Sequence, residues 1–98
     1  MGAESNIPRI QVRLAQVLAD HAGGVADHVV SGVTVGEVLH ALAALHPGLA
    51  AWLWTARGDF NPMLAAFLNR ENIAALGGLA APVREGDELM VVTALEGG

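Results

Sequence analysis

The chain ends in two glycines, Gly97 and Gly98, directly after the strand-like run at residues 88–95. A free glycine carboxylate is a group that another enzyme can activate, because a tail without β-carbons enters a narrow tunnel and bends freely inside it. Paired glycines are also typical of a frayed chain end. The rest of the sequence is needed to choose between these interpretations.

No other part of the sequence predicts a catalytic or metal site. The histidines lack the spacing of a helical metal-binding pair, and there is no cysteine to complete a thiolate site. Nucleophile-elbow and P-loop motifs are missing. The glycines of residues 21–24 favour a turn over an anion cradle, and Trp52 and Trp54 favour packing in a core or lid over a stacking platform. The four histidines are interpreted as surface or boundary residues: His21, His28, His40 and His46.

Composition excludes several classes of protein. The 98 residues suit one domain, and a hydrophobic content of 53% with 15% charged residues excludes a disordered chain. A net charge of −5 without a single lysine argues against nucleic-acid binding. No apolar run approaches the roughly 20 residues that span a membrane, and no signal peptide is visible. We therefore expect a cytoplasmic protein that contacts no membrane.

The first half of the chain predicts a hairpin followed by a capped helix. Residues 9–14 alternate like a half-buried strand, although residues 9–18 also show helical spacing; residues 21–24 predict a turn and 25–30 a second strand. Thr34 and Glu37 form a capping-box pattern at the start of a helix that ends at residues 46–48, where Pro47 cannot continue it. Residues 49–54 favour further helical turns, and 55–62 a loop. We expect the apolar stripe of this helix to be buried at Val35, Val38, Leu42 and Leu45.

The second half predicts strands joined by tight turns. Residues 64–68 suit a buried strand, 69–72 a turn, 77–83 an irregular segment, and 84–87 a turn into the final strand. In that strand Leu89, Val91 and Thr93 share one face, and the alternate residues share the other. This order predicts an α+β fold with a mixed sheet of four or five strands packed on one main helix. The expected organisation is an extended or disordered N-terminus at 1–8, a domain at 9–95 and a flexible tail at 96–98.

The ordered motifs of the C-terminal half resemble those of the MoaD/ThiS family of ubiquitin-like sulfur carriers. They are the strand and turn Phe67-Leu-Asn-Arg-Glu-Asn-Ile73, the turn and strand Arg84-Glu-Gly-Asp-Glu-Leu-Met-Val91, and the terminal Gly-Gly pair. The capped helix stands where the family has its main helix. Residues 17–24 are similar to the members that supply sulfur for cysteine synthesis in actinobacteria. The segment at 49–61, with its two tryptophans, is longer than in the shortest members.

The resemblance implies a β-grasp fold and a carrier that is not itself an enzyme. An E1-like enzyme would use ATP to adenylate Gly98, a sulfur donor would displace AMP, and the resulting thiocarboxylate would pass sulfur to an acceptor synthase. Gly97 would provide clearance for the tail, and the exposed face of the last strand would dock the E1-like partner. The carrier itself would bind no cofactor and no metal. The sulfur would serve cysteine, molybdopterin, thiamin or a specialised metabolite. Two alternatives stay open: a protein modifier conjugated through the same glycine, and a non-catalytic β-grasp binding module.

Overall fold

A computed structural model describes residues 7–94 of the chain. Within this range the structure has five strands, three helices and two 3₁₀ turns, and the 3₁₀ turns lie at Ile73–Leu76 and Gly78–Ala80. None of the helices in this range is long and apolar enough to cross a membrane. The elements are β1 Arg9–Leu14, α1 Gln16–Ala19, β2 Asp27–Ser31, α2 Val35–Leu45, α3 Pro47–Leu53, β3 Leu64–Leu68, β4 Glu71–Asn72 and β5 Glu88–Thr93.

The five strands form one mixed sheet in the order β2-β1-β5-β3-β4. β1 pairs antiparallel with β2 and parallel with β5, whereas β3 is antiparallel to both β5 and β4. The last strand of the chain therefore lies at the centre of the sheet, with a neighbour on each side. This arrangement confirms the predicted α+β class and the mixed sheet.

The connection between β1 and β2 differs from the predicted loose turn. It contains the short helix α1, whose Leu18 and Ala19 are buried, and it leaves the helix through two glycines with positive φ, Gly23 at 71° and Gly24 at 79°. The predicted strand boundary at Val25 is wrong, because β2 begins at Asp27. The helical spacing seen in the sequence therefore corresponds to a helix after residue 15, although α1 buries Leu18 and Ala19 and leaves Val17 36% exposed.

The main helix α2 begins with the predicted cap. The Thr34 hydroxyl accepts a hydrogen bond from the Glu37 amide at 3.1 Å, and the Glu37 carboxylate accepts one from the Val33 amide at 3.0 Å. The return bond thus reaches one residue further back than in the standard capping box, and it still satisfies a backbone N–H at the helix start. The helix ends at Leu45, and Pro47 occupies the first turn of α3, where its missing N–H costs nothing.

One face of the sheet packs on α2, and this contact forms the core. Leu45, which we expected to be buried, is 68% exposed. The prediction failed because α3 folds back after His46 and supplies Leu49 and Leu53, both fully buried, so the last turn of α2 is left at the surface. The other three helix residues predicted to be buried have no exposed surface: Val35, Val38 and Leu42.

Candidate functional site

The structure fixes the point from which the chain runs towards its C-terminus. The Ala94 amide donates to the Met63 carbonyl at 2.7 Å, and the Ala15 amide donates to the Val91 carbonyl at 2.9 Å. The end of β5 is therefore tied to the segment before β3 on one side and to the start of α1 on the other. Gly98, predicted to carry the sulfur, and Gly97, predicted to provide clearance, lie outside the described residues, and both roles stay predictions.

The two faces of β5 have different neighbours. Leu89 and Val91 are fully buried beneath the helices, whereas Met90 on the opposite face is only partly covered. Met90 lies opposite Phe67 on one side and Arg13 on the other. We call this second face the outer sheet face; along its three central strands it comprises Gln11, Arg13, Ala65, Phe67, Glu88, Met90 and Val92.

A depression of about 150 Å³ interrupts the outer sheet face. Small-molecule sites commonly measure about 300–1,000 Å³, so this depression is too small for a cofactor or a sizeable substrate. It matches the scale of a single side chain from a protein partner. Its lining combines two apolar residues with three charged ones: Phe67, Met90, Arg13, Arg70 and Glu88.

The charges around the depression are of mixed sign. Arg13 donates through Nε to an Asp27 carboxylate oxygen at 2.9 Å. This hydrogen bond, followed by the negative charges of Asp27 and Glu88, raises the pKa of Arg13 above its ordinary value. Arg70 forms no ion pair with any residue in the range 7–94. Its guanidinium is therefore available for a carboxylate on a partner.

Hydrogen bonds of the Asn69 side chain, which we call the clamp, join the turn after β3 to the turn before β5. Asn69 donates through Nδ2 to Asp87 at 3.0 Å, and its Oδ1 accepts from the Glu88 amide at 3.0 Å. Asp87 in turn accepts from the Arg84 amide at 2.7 Å. Asn69 and Arg70 both have positive φ, 49° and 76°, so the turn aims Arg70 towards the rim of the depression. The sequence predicted both turns but not the bond that joins them, and the predicted turn at residues 69–72 is too long because residues 71 and 72 form β4.

The histidines and tryptophans lie away from the outer sheet face and form ring pairs. His40 stacks on Trp54 with ring centroids 4.2 Å apart, and His21 lies 4.9 Å from Trp52. Trp54 packs against the core, one of the two predicted positions, whereas Trp52 is 37% exposed, so the core position is wrong for Trp52 and its lid alternative stays a prediction. The surface or boundary position predicted for the histidines is confirmed. Between residues 7 and 94, no three histidine or acidic side chains are grouped to hold a metal ion.

In the turn at residues 21–24, three of the four amides donate to backbone carbonyls, and within residues 7–94 the Gly23 amide has no such partner. The amides of Ala22 and Gly24 both donate to the Ala19 carbonyl, at 2.8 and 2.9 Å. They satisfy the end of α1 and are not available to a phosphate or sulfate group. The interpretation of this segment as a structural turn is confirmed.

Known proteins share this architecture. The sulfur carrier protein CysO of Mycobacterium tuberculosis is 29% identical over 91 residues, which cover 91% of this chain and 98% of that protein. Its crystal structure superposes with a TM-score of 0.80 at 28% identity, covering 87% of this chain and 98% of CysO.

Two further solved structures bear on the site. A crystal structure of the BexX/CysO complex of Amycolatopsis orientalis contains a chain that matches with a TM-score of 0.81 at 29% identity, covering 91% of this chain and 99% of that one. The crystal structure of SAMP1 from Haloferax volcanii matches with a TM-score of 0.79 at 27% identity, covering 92% and 99%. These neighbours confirm the ubiquitin-like β-grasp fold. The family model described as the ThiS family matches residues 12–98, which run from the middle of β1 through Gly98, and the chain belongs to this family.

Proposed function

We propose that this chain is a sulfur carrier whose terminal Gly98 is converted to a thiocarboxylate. The observation that carries the proposal is the ThiS family match, which extends through both terminal glycines. The likeness to CysO, a protein described as a sulfur carrier, supports the same role. Strand β5, which precedes the tail, is hydrogen-bonded to a strand on each side, so a partner can bind the tail without loosening the domain.

The chemistry requires activation because a carboxylate is a poor electrophile with no good leaving group. The Gly98 carboxylate oxygen attacks the α-phosphorus of ATP, and pyrophosphate leaves. A sulfide nucleophile then attacks the acyl carbon, the C–O bond to the phosphate breaks, and AMP departs with the electron pair. The partner enzyme supplies ATP and the catalytic groups, and the carrier supplies the acyl group and a surface to hold.

We propose the outer sheet face as the surface on which the E1-like adenylating enzyme docks. It combines apolar area at Phe67 and Met90 with the guanidinium of Arg70, which has no ion-pair partner among residues 7–94, and such mixtures are typical of interaction hot spots. The relative in the Amycolatopsis complex assembles with a second protein, BexX, which supports a partner-dependent role for this chain. A sulfur-acceptor enzyme would use the same tail after the E1-like partner has left.

The test is conversion of the terminus in vitro. The chain is incubated with ATP, sulfide and an E1-like enzyme, and its intact mass is measured. We expect the mass change that corresponds to one oxygen replaced by one sulfur, and no change in a matched variant lacking Gly98. An unchanged mass for the full chain, with an enzyme that thiocarboxylates a known carrier in the same buffer, would refute the proposal.

A second candidate function is protein modification through the same glycine. The likeness to SAMP1, described as a small archaeal modifier protein, favours it. The two functions share the adenylation step and differ in the acceptor, which is a lysine amine for a modifier and a sulfur nucleophile for a carrier. Mass spectrometry of native cells for target lysines bearing the Gly97-Gly98 remnant separates them.

A further inference from the structure

Apart from its four histidines, the basic side chains of this protein are five arginines, and the sequence has no lysine. The structure gives no reason for this choice. Each of the five is exposed, and the two ion pairs within residues 7–94, Arg9 with Glu85 and Arg13 with Asp27, involve side chains that are 59–70% exposed. Such surface pairs contribute about 0–1 kcal/mol, and lysine would serve in them nearly as well.

The chemistry of an activated C-terminus gives a reason for arginine in place of lysine. A lysine with a pKa near 10.4 is a free amine in about one molecule in 2,500 at pH 7, whereas arginine stays protonated. A free amine attacks an activated acyl carbon, a C–N bond forms, the bond to the leaving group breaks, and the amine gives up a proton to solvent. The product is an amide that sulfide can no longer displace. The sequence also has no cysteine thiol to compete for the acyl group.

We infer that the lysine-free surface keeps the activated C-terminus from acylating its own carrier, a property that rests on the proposed function. It makes the chain a poor acceptor in either candidate role. A carrier would not be lost as a dead-end amide. A modifier would be attached to its targets one copy at a time, because no chain of copies can grow on a lysine.

Two arginines of β1 provide a matched test of this inference, since they differ mainly in their distance from the tail. Both are exposed, both form a surface ion pair, and both lie on the same face of the strand. Arg13 lies opposite Met90, about 14 Å from Ala94, whereas Arg9 lies two residues before the level of Glu88, about 26 Å from Ala94. The four residues after Ala94 span at most about 14 Å. A lysine side chain adds about 6 Å through its four-carbon stem, so the tail reaches position 13 but not position 9.

The experiment uses the full chain with a C-terminal thioester made by intein cleavage, so that no partner enzyme takes part. Wild type, Arg13→Lys and Arg9→Lys are held at micromolar concentration and pH 8.5. Intact mass then separates the hydrolysed acid from a cyclic amide, which is one water lighter, and peptide mapping locates the bond. Unchanged thermal unfolding of both variants shows that each is folded.

We expect Arg13→Lys to form the cyclic amide at least about tenfold faster than wild type or Arg9→Lys, because only its amine lies within reach of its own tail. An Arg13→Lys variant that forms no more amide than wild type would overturn the inference. Rapid acylation of the wild-type α-amino group would do the same, since the natural surface would then offer no protection. Because the thioester is made without ATP or sulfide, neither result depends on whether the sulfur-carrier proposal holds.

Discussion

Two leucines of α2, three residues apart, predict opposite results for the same substitution. Leu42 has no exposed surface, whereas Leu45 is 68% exposed. Leu42→Ala removes three buried carbon atoms and leaves a cavity between α2 and the sheet, and we expect a loss of roughly 3 kcal/mol within the usual range of 2–5. A domain of this size has a free energy of unfolding of about 5–15 kcal/mol, so the variant would lose a fifth or more of its stability.

The matched variant Leu45→Ala should change the free energy of unfolding by less than about 0.5 kcal/mol, because the side chain buries little and alanine is an equally good helix former. Urea unfolding followed by circular dichroism measures both. With a slope of about 1–3 kcal/mol per molar, the midpoint of Leu42→Ala should fall by about 1–3 M while that of Leu45→Ala stays in place. Equal losses for the two variants would refute the assignment of Leu45 to the surface and the role given to α3 in closing the core.

Three further predictions concern the tail, the outer sheet face and the clamp. Gly97→Val should keep the free energy of unfolding within about 0.5 kcal/mol of wild type. It should slow pyrophosphate release by orders of magnitude, because the β-branched side chain would obstruct a narrow tunnel in the adenylating enzyme. Normal pyrophosphate release would mean that the tail does not enter such a tunnel. Met90→Asp should raise the KM of the E1-like enzyme for the carrier at least about tenfold, whereas Leu45→Asp on the helical side should not; equal effects would exclude the outer sheet face as the docking surface. Asn69→Ala should lower the free energy of unfolding by roughly 2–3 kcal/mol, since it loses two side-chain hydrogen bonds at a left-handed position. The control Asn72→Ala, which loses one side-chain hydrogen bond, should lower it by about 1 kcal/mol. Equal urea midpoints for the two variants would show that the clamp contributes little.

Local signals predicted most of the fold. The helix cap at Thr34, the stop at Pro47 and the turn before β5 each depend on residues within four positions of one another, and each is present in the structure. The helix α1 was not predicted, because its four residues are too few to show a helical hydrophobic period. The exposure of Leu45 depends on where α3 folds, which is a tertiary event.

The sequence predicted the strand β5 of the candidate site but not which of its two faces is exposed. The two faces of β5 are almost equally apolar, with Leu89 and Val91 on one and Met90 and Val92 on the other, so the sequence alone does not say which face the helix covers. The clamp could not be predicted from the sequence for a different reason. Asn69 and Asp87 are 18 residues apart, and only the antiparallel register of β3 on β5 brings them together.

If the proposed E1-like partner pulls on the C-terminus, the position of β5 in the sheet lets the domain resist that force. An edge strand is held by hydrogen bonds on one side only, and tension on its end opens them one after another. β5 is paired with β1 and with β3, and its end is tied again at Met63 and Ala15. Tension on the tail therefore loads two ladders at once and the buried side chains of Leu89 and Val91 with them. A fold that places its last strand at the centre, with α2 on one face and the other face open, anchors the strand that precedes the tail and leaves a surface for the enzyme that we propose to act on Gly98.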